Sequence, residues 1–235
     1  MKGMIKKIII SVMVVIILIA AVFTRNSFVD TYVAEKEEFF VPYYSEQIIG
    51  MLGNVEKKLL KSKVIFVGKA TGNSKFVYRN FIQEVQVIKN ISGIKGIKAG
   101  DKIWLTGYGG SRDIENIKKV KQMDKAAINV SFMNYMQKGD EYLIFAKKKL
   151  ADDLSLGKRV YILNDDVITM MYLNLTNDKS YVCKNYISGE GIPTYVRYKE
   201  VKNSEFYSNS QKVLDKMQKI KHRIIKKVLF IPMEY

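Results

Sequence analysis

One histidine, His222, and one cysteine, Cys183, are the only residues of their types in 235 positions. That scarcity argues against most nucleophilic and metal chemistry. A serine–histidine or cysteine–histidine pair, or a histidine zinc site, needs partners beside His222 that its basic surroundings do not offer. His222 therefore reads as a solvated helix residue. Cys183, in the strand-like run YVCKNY, reads as a small buried side chain rather than a nucleophile. Gly107-Tyr108-Gly109-Gly110-Ser111 could cradle a phosphate with backbone amides. It lacks the Gly-Lys-Ser/Thr ending of a P-loop, so it reads as a turn leaving a strand. The acid pairs Asp152-Asp153 and Asp165-Asp166 invite a glycosidase or calcium reading. Adjacent carboxylates on a strand point to opposite faces, so neither pair alone supplies two converging groups. Asn90-Ile-Ser92, Asn129-Val-Ser131 and Asn174-Leu-Thr176 match the glycosylation pattern by chance in an Asn-rich chain. No catalytic residue, metal ligand or cofactor is expected.

Aromatic residues interleaved with cations are the other chemical signal. Tyr78, Arg79, Trp104 and Tyr108, with Phe76 and Phe81 nearby, are the candidate ligand-binding residues. Small β-barrels stack single-stranded nucleic acid on such side chains, and the same side chains also fill barrels. The formal charge is +16. It points to polyanions such as wall teichoic acid, anionic lipid or nucleic acid. The competing reading is a lysine excess spread over a solvated surface. That second reading is favoured, because the lysines are scattered and arginine, the bidentate reader of phosphate, is scarce. The Lys-, Ile-, Asn- and Tyr-rich usage is similar to that of AT-rich bacterial genomes.

The elements that must position these residues are mostly β. Residues 45–61 have helical spacing at Ile48, Ile49, Leu52, Val55, Leu59 and Leu60, with Ser45 as a cap and Gly50 and Gly53 as weak points. Residues 64–69 are a continuous apolar run suited to a buried strand. Residues 75–89 form one strand, with Phe81, Val85 and Val87 on one face. Residues 102–108 and 141–146 are strands entered by the same phrase, Gly100-Asp101 and Gly139-Asp140, which is turn chemistry. Residues 159–164, 167–175, 180–187 and 194–199 complete a set of short strands, as in a small barrel or sandwich. Val64, Phe66, Val85, Val87, Ile103, Leu105, Leu143 and Phe145 are the predicted core. Ile114, Ile117, Val120, Met123 and Ala127 have near-helical spacing inside 109–138, so that stretch reads as a helix or an insertion. In the C-terminal segment Val213, Met217, Ile220, Ile224 and Val228 make an apolar stripe among lysines, ended by Pro232.

The N-terminus predicts location. Residues 8–23 carry no charge and follow Lys2, Lys6 and Lys7. With Ile5 and Thr24 the run approaches the ~20 apolar residues a membrane span needs. No small-x-small cleavage site lies at its end and no cysteine follows it for lipidation. An uncleaved anchor is therefore preferred to a cleaved signal, with the N-terminus inside the cytoplasm. The expected organisation is a signal-anchor transmembrane segment over 1–25 and a spacer over 26–44. A β-barrel domain over 45–205 and a helix over 206–235 packed on the barrel follow.

The phrases VIFVGKATG, QEVQVIKNI, GDKIWLTGYGG and Met136-x-Lys-Gly-Asp-Glu-Tyr-Leu-Ile-Phe145 together resemble the uncharacterised exported or lipoprotein-type OB-fold (netrin-like) domains of Gram-positive bacteria, over about residues 50–200. The resemblance implies a mainly β fold with helices, built on a small OB-like barrel. It implies no catalytic residues. The lipidated cysteine common in such proteins is absent, and so is the N-terminal cysteine on which netrin-like protease inhibitors depend. The combined expectation is a single-pass, membrane-anchored, extracytoplasmic domain, not an enzyme. Its partners would be the cytoplasmic membrane and an anionic cell-wall polymer or envelope protein. A surface OB module binding nucleic acid or another polyanion, and an envelope hydrolase, are the alternatives; nucleic acid ranks below the envelope partners.

Overall fold

The computed structural model describes residues 6, 10–22, 40–43, 45–77, 80–107, 111–112, 127–128, 134–151, 158–164, 168–175, 179–184, 187–189 and 192–229. The chain divides into two compact units, Met1–Lys36 and Glu37–Tyr235. In the first, residues 10–22 form helix α1, and Ile10, Ile16, Ile17 and Leu18 are exposed. Among the described residues no helix is long and apolar enough to cross a membrane. The rest of the expected 1–25 anchor, apart from residue 6, lies outside the described residues.

In the second unit a closed five-stranded barrel carries the fold, consistent with a small OB-like barrel. Its strands are β2 (Val64–Val77), β3 (Asn80–Asn90), β4 (Lys102–Thr106), β7 (Glu141–Lys149) and β8 (Val160–Leu163). Each is bonded to the next in the order β2-β3-β4-β8-β7, and β7 returns to β2. All these pairings are antiparallel except β4 with β8. β9 (Met170–Tyr172) adds to the free edge of β7 beside β8. The eight expected core residues are all buried in this sheet. Pleating sends Phe66, Val85, Val87, Ile103, Leu105 and Tyr161 inward. Ile65, Val67, Leu143 and Phe145 face outward yet are also buried, in one apolar cluster with the helices.

The Gly-Asp turns behave as their chemistry demands. Gly100 and Gly139 have φ of +88° and +87°. The amides of Asp101 and Asp140 each donate three residues back, to Lys98 and Gln137. A positive φ at the third position of such a turn favours glycine. The expected strand over 75–89 proves to be a hairpin instead. β2 runs on to Val77 and β3 starts at Asn80. Alternation continues through both arms, so the turn leaves little trace in the pattern. β2 also bulges between Ala70 and Ser74. Glu84 ties the bulge down: its carbonyl accepts from Thr71 Oγ1 (3.2 Å) and its Oε1 from Asn73 Nδ2 (3.1 Å).

Other elements depart from expectation. Residues 40–43, read as spacer, form β1 (Phe40–Tyr43), with Val41 and Tyr43 buried. A second sheet has the order β11-β12-β1-β6-β5, from β5 (Ser111–Arg112), β6 (Ala127–Ile128), β11 (Ile187–Gly189) and β12 (Ile192–Arg197). Ala127 thus lies in a strand, while residues 114–126 of the stretch read as a helix or an insertion lie outside the described residues. Helix 45–61 is a 3-10 helix over Glu46–Asn54 followed by the short α2 (Val55–Leu59); Ser45 makes no side-chain cap. Ile48, Leu52, Val55 and Leu59 still form its buried face. Of residues 206–235, the first three described form β13 (Phe206–Ser208), parallel to β10 (Ser180–Val182). α3 (Tyr198–Val201) precedes it, and the long helix α4 is Gln211–Leu229. α4 packs on the 3-10 helix and β13, and its buried residues share one apolar cluster with the barrel strands. Its stripe is buried at Val213, Met217, Ile220 and Ile224, and Val228 is half-buried.

Candidate functional site

Two places gather polar chemistry: the outer wall of the barrel over β3, β4 and β8, and the seam between the barrel, β13 and α4. The outer wall is set by register. Glu84 on β3 lies opposite Trp104 on β4, and Trp104 lies beside Val160 on β8. Their neighbours in sequence, Val85, Ile103, Leu105 and Tyr161, point into the barrel, so these three point out. Ile82, Trp104 and Val160 form a small apolar cluster apart from the main core, with Leu150 against it.

Two lysines roof this cluster. Lys158 Nζ lies 4.5 Å from the Trp104 ring centroid and Lys75 Nζ 5.9 Å from it. Ammonium groups within about 6 Å of an indole are attracted by its quadrupole. Trp104 is left only 8 % exposed. The ammonium of Lys158 sits below the usual lysine range. Burial is the main cause, the neighbouring Lys75 adds to it, and Glu84 pulls the other way. Two like charges held together on a wall are a standing repulsion that an anion between them would relieve.

Of the four candidates, Trp104 alone is described; Tyr78, Arg79 and Tyr108 lie outside the described residues. Lys75, Lys158 and Glu84 join Trp104 only through the fold. Lys75 reaches from the last turnward residues of β2 and Lys158 from just before β8. No local spacing linked them.

The seam is buried and ionic. Lys221 of α4 places Nζ 2.5 Å from Glu205 Oε2, and the other oxygen of Glu205 accepts from the amide of Tyr172 at 2.7 Å. Lys179 Nζ meets Asp140 Oδ2 at 2.6 Å and lies 4.0 Å from the Tyr172 ring centroid. Burial lowers the pKa of Lys179, but the hydrogen bond and charge of Asp140 outweigh it, so the net shift is upward. Tyr142 accepts from the amide of Gln137 at 2.9 Å, and its hydroxyl is pushed above its ordinary range, first by burial. Gln83 clamps the same end of the barrel, exchanging both hydrogen bonds with the backbone of Met136. The cavity among Tyr142, Tyr172, Lys179 and Glu205 measures about 10 Å³. That is room for about one water, so the seam joins elements and has no space for an organic substrate.

The remaining reactive side chains stand apart. Cys183 is buried and its thiol is pushed up to about 12, first by burial and then by Glu200. His222 is exposed on α4. Gly107 has φ of +109°, while 108–110 and the acid pairs 152–153 and 165–166 lie outside the described residues. Among the described residues no group of three or more His, Cys, Asp or Glu side chains could hold a metal ion. No known protein-family model matches the chain, and no curated protein resembles it in sequence.

Proposed function

We propose that this protein is a non-enzymatic binding domain for an anionic polymer of the cell envelope. In this reading residues 1–25 hold it at the cytoplasmic membrane as a single-pass anchor and the barrel lies outside. The observation that carries the reading is Trp104 on the outer wall with Lys75 and Lys158 together over its ring. On an OB-type barrel, the face of the second and third strands is a binding surface for oligonucleotides and oligosaccharides. β3 and β4 are the second and third strands of this ring, which is also what favours the finer OB-like description. The two ammonium groups supply charge, the indole fixes their positions, and the net charge of +16 raises the local concentration of a polyanion.

A base-free polymer is preferred to single-stranded nucleic acid for a geometric reason. Stacking contributes ~1–3 kcal/mol per base where an aromatic face is open. Trp104 is 8 % exposed and Lys158 covers its ring, so a base would first have to displace the lysine.

Trp104 is the only tryptophan in the chain, which makes its emission a direct probe. Titration with inorganic polyphosphate should change that emission and saturate. Lys75→Gln with Lys158→Gln should weaken binding, and added salt should weaken it further by screening. Saturation without any change at Trp104, or equal affinity of the double variant, would refute the site. An oligonucleotide of equal charge that binds more tightly than polyphosphate would reassign it to nucleic acid.

A further inference from the structure

The exposed side of α4 is a row of cations that the barrel-wall site does not use. At about 100° per residue, Lys212, Lys216, Lys219, Arg223, Lys226 and Lys227 fall within an arc of about 100°. The row runs about 22 Å along the helix at ~1.5 Å per residue. Val213, Leu214, Met217, Ile220, Ile224 and Ile225 fill the adjoining arc and the far side of the helix and are buried. The apolar face is therefore committed to the fold, and what α4 presents to a partner is charge.

Part of that charge is already answered. Lys212 lies 3.8 Å from Glu46, Arg223 lies 3.1 Å from Glu56, and Lys227 also pairs with Glu56. Lys216 is half-buried and donates to the carbonyl of Ile49 at 3.0 Å. Lys219 and Lys226 are exposed, one turn of helix from Arg223 on either side, and have no carboxylate partner among the described residues. A row of six cations, with Glu46 and Glu56 pairing three of them and Asp215 exposed at its edge, keeps a net positive charge spread along a rigid rod, which fits a flat anionic surface better than a compact anion.

We infer that the Lys212–Lys227 ridge of α4 docks on an anionic lipid surface. The inference rests on the tethered reading of residues 1–25. Between the exposed apolar helix at 10–22 and β1 at Phe40 the chain can span at most ~60 Å, at ~3.3–3.6 Å per residue. A bilayer that takes the apolar segment would keep Phe40, the start of the domain that carries α4, within that distance of its headgroups. Docking is through charge alone, because no apolar side chain of the stripe is free to enter the acyl region.

The test uses the full chain and two vesicle types, phosphatidylcholine alone and phosphatidylcholine with about one-third phosphatidylglycerol. Binding to neutral vesicles reports the apolar segment; the anionic-to-neutral ratio of partition coefficients reports the ridge. The basic N-terminus contributes equally to wild type and variants. A lysine near an anionic surface contributes about five-fold in partition, so Lys219→Gln with Lys226→Gln should lower the ratio about 25-fold. Lys219→Arg with Lys226→Arg should keep the ratio, since it keeps both charges. With a Debye length of about 3 Å in about 1 M salt, the wild-type ratio should approach one. A ratio that the glutamine pair leaves unchanged would overturn the inference. So would a glutamine pair that spares vesicle binding but loses retention on polyphosphate, since the ridge would then serve a soluble polymer. Loss of neutral-vesicle binding alone would count against the tether and leave the ratio, and so the ridge, to be judged separately.

Discussion

Replacing Lys221 by methionine should be among the most damaging single changes in the molecule. Lys221 is 0 % exposed and Glu205 is 7 % exposed, with their charged atoms 2.5 Å apart. Glu205 also accepts the amide hydrogen of Tyr172, so this carboxylate links α4 to β9. Unit charges about 4 Å apart at an effective dielectric of about 20 attract by about 4 kcal/mol. Removing one partner of a buried pair leaves the other charge unanswered and typically costs ~3–5 kcal/mol. Lys221→Met keeps the apolar stem of the side chain and removes the ammonium group, so the loss is mainly electrostatic. In a domain of this size about 1 kcal/mol moves the melting temperature by about 2–4 °C, which gives a fall of about 6–20 °C. Glu205→Gln should also destabilise, though its amide oxygen can still accept from Tyr172. The double variant removes both charges and should recover much of the loss, since a buried pair replaced by neutral groups is often close to neutral in stability. Denaturant melts of the four proteins form a double-mutant cycle. Strictly additive losses, or a Lys221→Met protein within about 0.5 kcal/mol of wild type, the range of an ordinary surface change, would refute the pairing.

Phe145→Ala, on the outward but buried face of β7, should cost ~3–5 kcal/mol by leaving a cavity between barrel and helices; an unchanged melting temperature would show that this face is not packed. Cys183 should resist alkylation at pH 8 in the native protein and react once denaturant is added. Its thiol is raised from the ordinary 9.0 to about 12 by burial, so above pH 9 the unfolded chain loses a proton that the folded chain keeps. Stability from this group is therefore present below pH 9 and lost as pH rises from 9 toward 12. Native-state alkylation at pH 8 at the rate of the denatured chain would refute the buried assignment.

Local chemistry was legible where the pattern itself carries the physics. Continuous or alternating apolar runs marked β2, β3, β4 and β7, and all eight core residues chosen from them are buried. The Gly-Asp phrases announced turns because positive φ and local hydrogen bonding are properties of those two residues. The α4 stripe was visible because helical period and burial coincide. Less was legible where two local states share one pattern. Residues 46–54 show helical spacing whether the turn is 3-10 or α, and the hairpin between Val77 and Asn80 interrupts neither period nor composition.

What only the tertiary structure decided depends on residues far apart in the chain. β1 was invisible because Phe40–Tyr43 is held by β12, more than 150 positions away. The partner of Lys221 could have been any acid, and α4 chose Glu205 by where it docks. Trp104 was chosen from the sequence as a candidate, but alternation does not say which face is the inside. Closure of the ring by β7 on β2 put Ile103 and Leu105 within and Trp104 without, and brought Lys75 and Lys158 over the indole. Side-chain period, turn geometry and charge are local quantities that a chain displays in order. The inside of a barrel, the partner of a buried ion and the company kept by an outward tryptophan exist only once strands distant in sequence are paired.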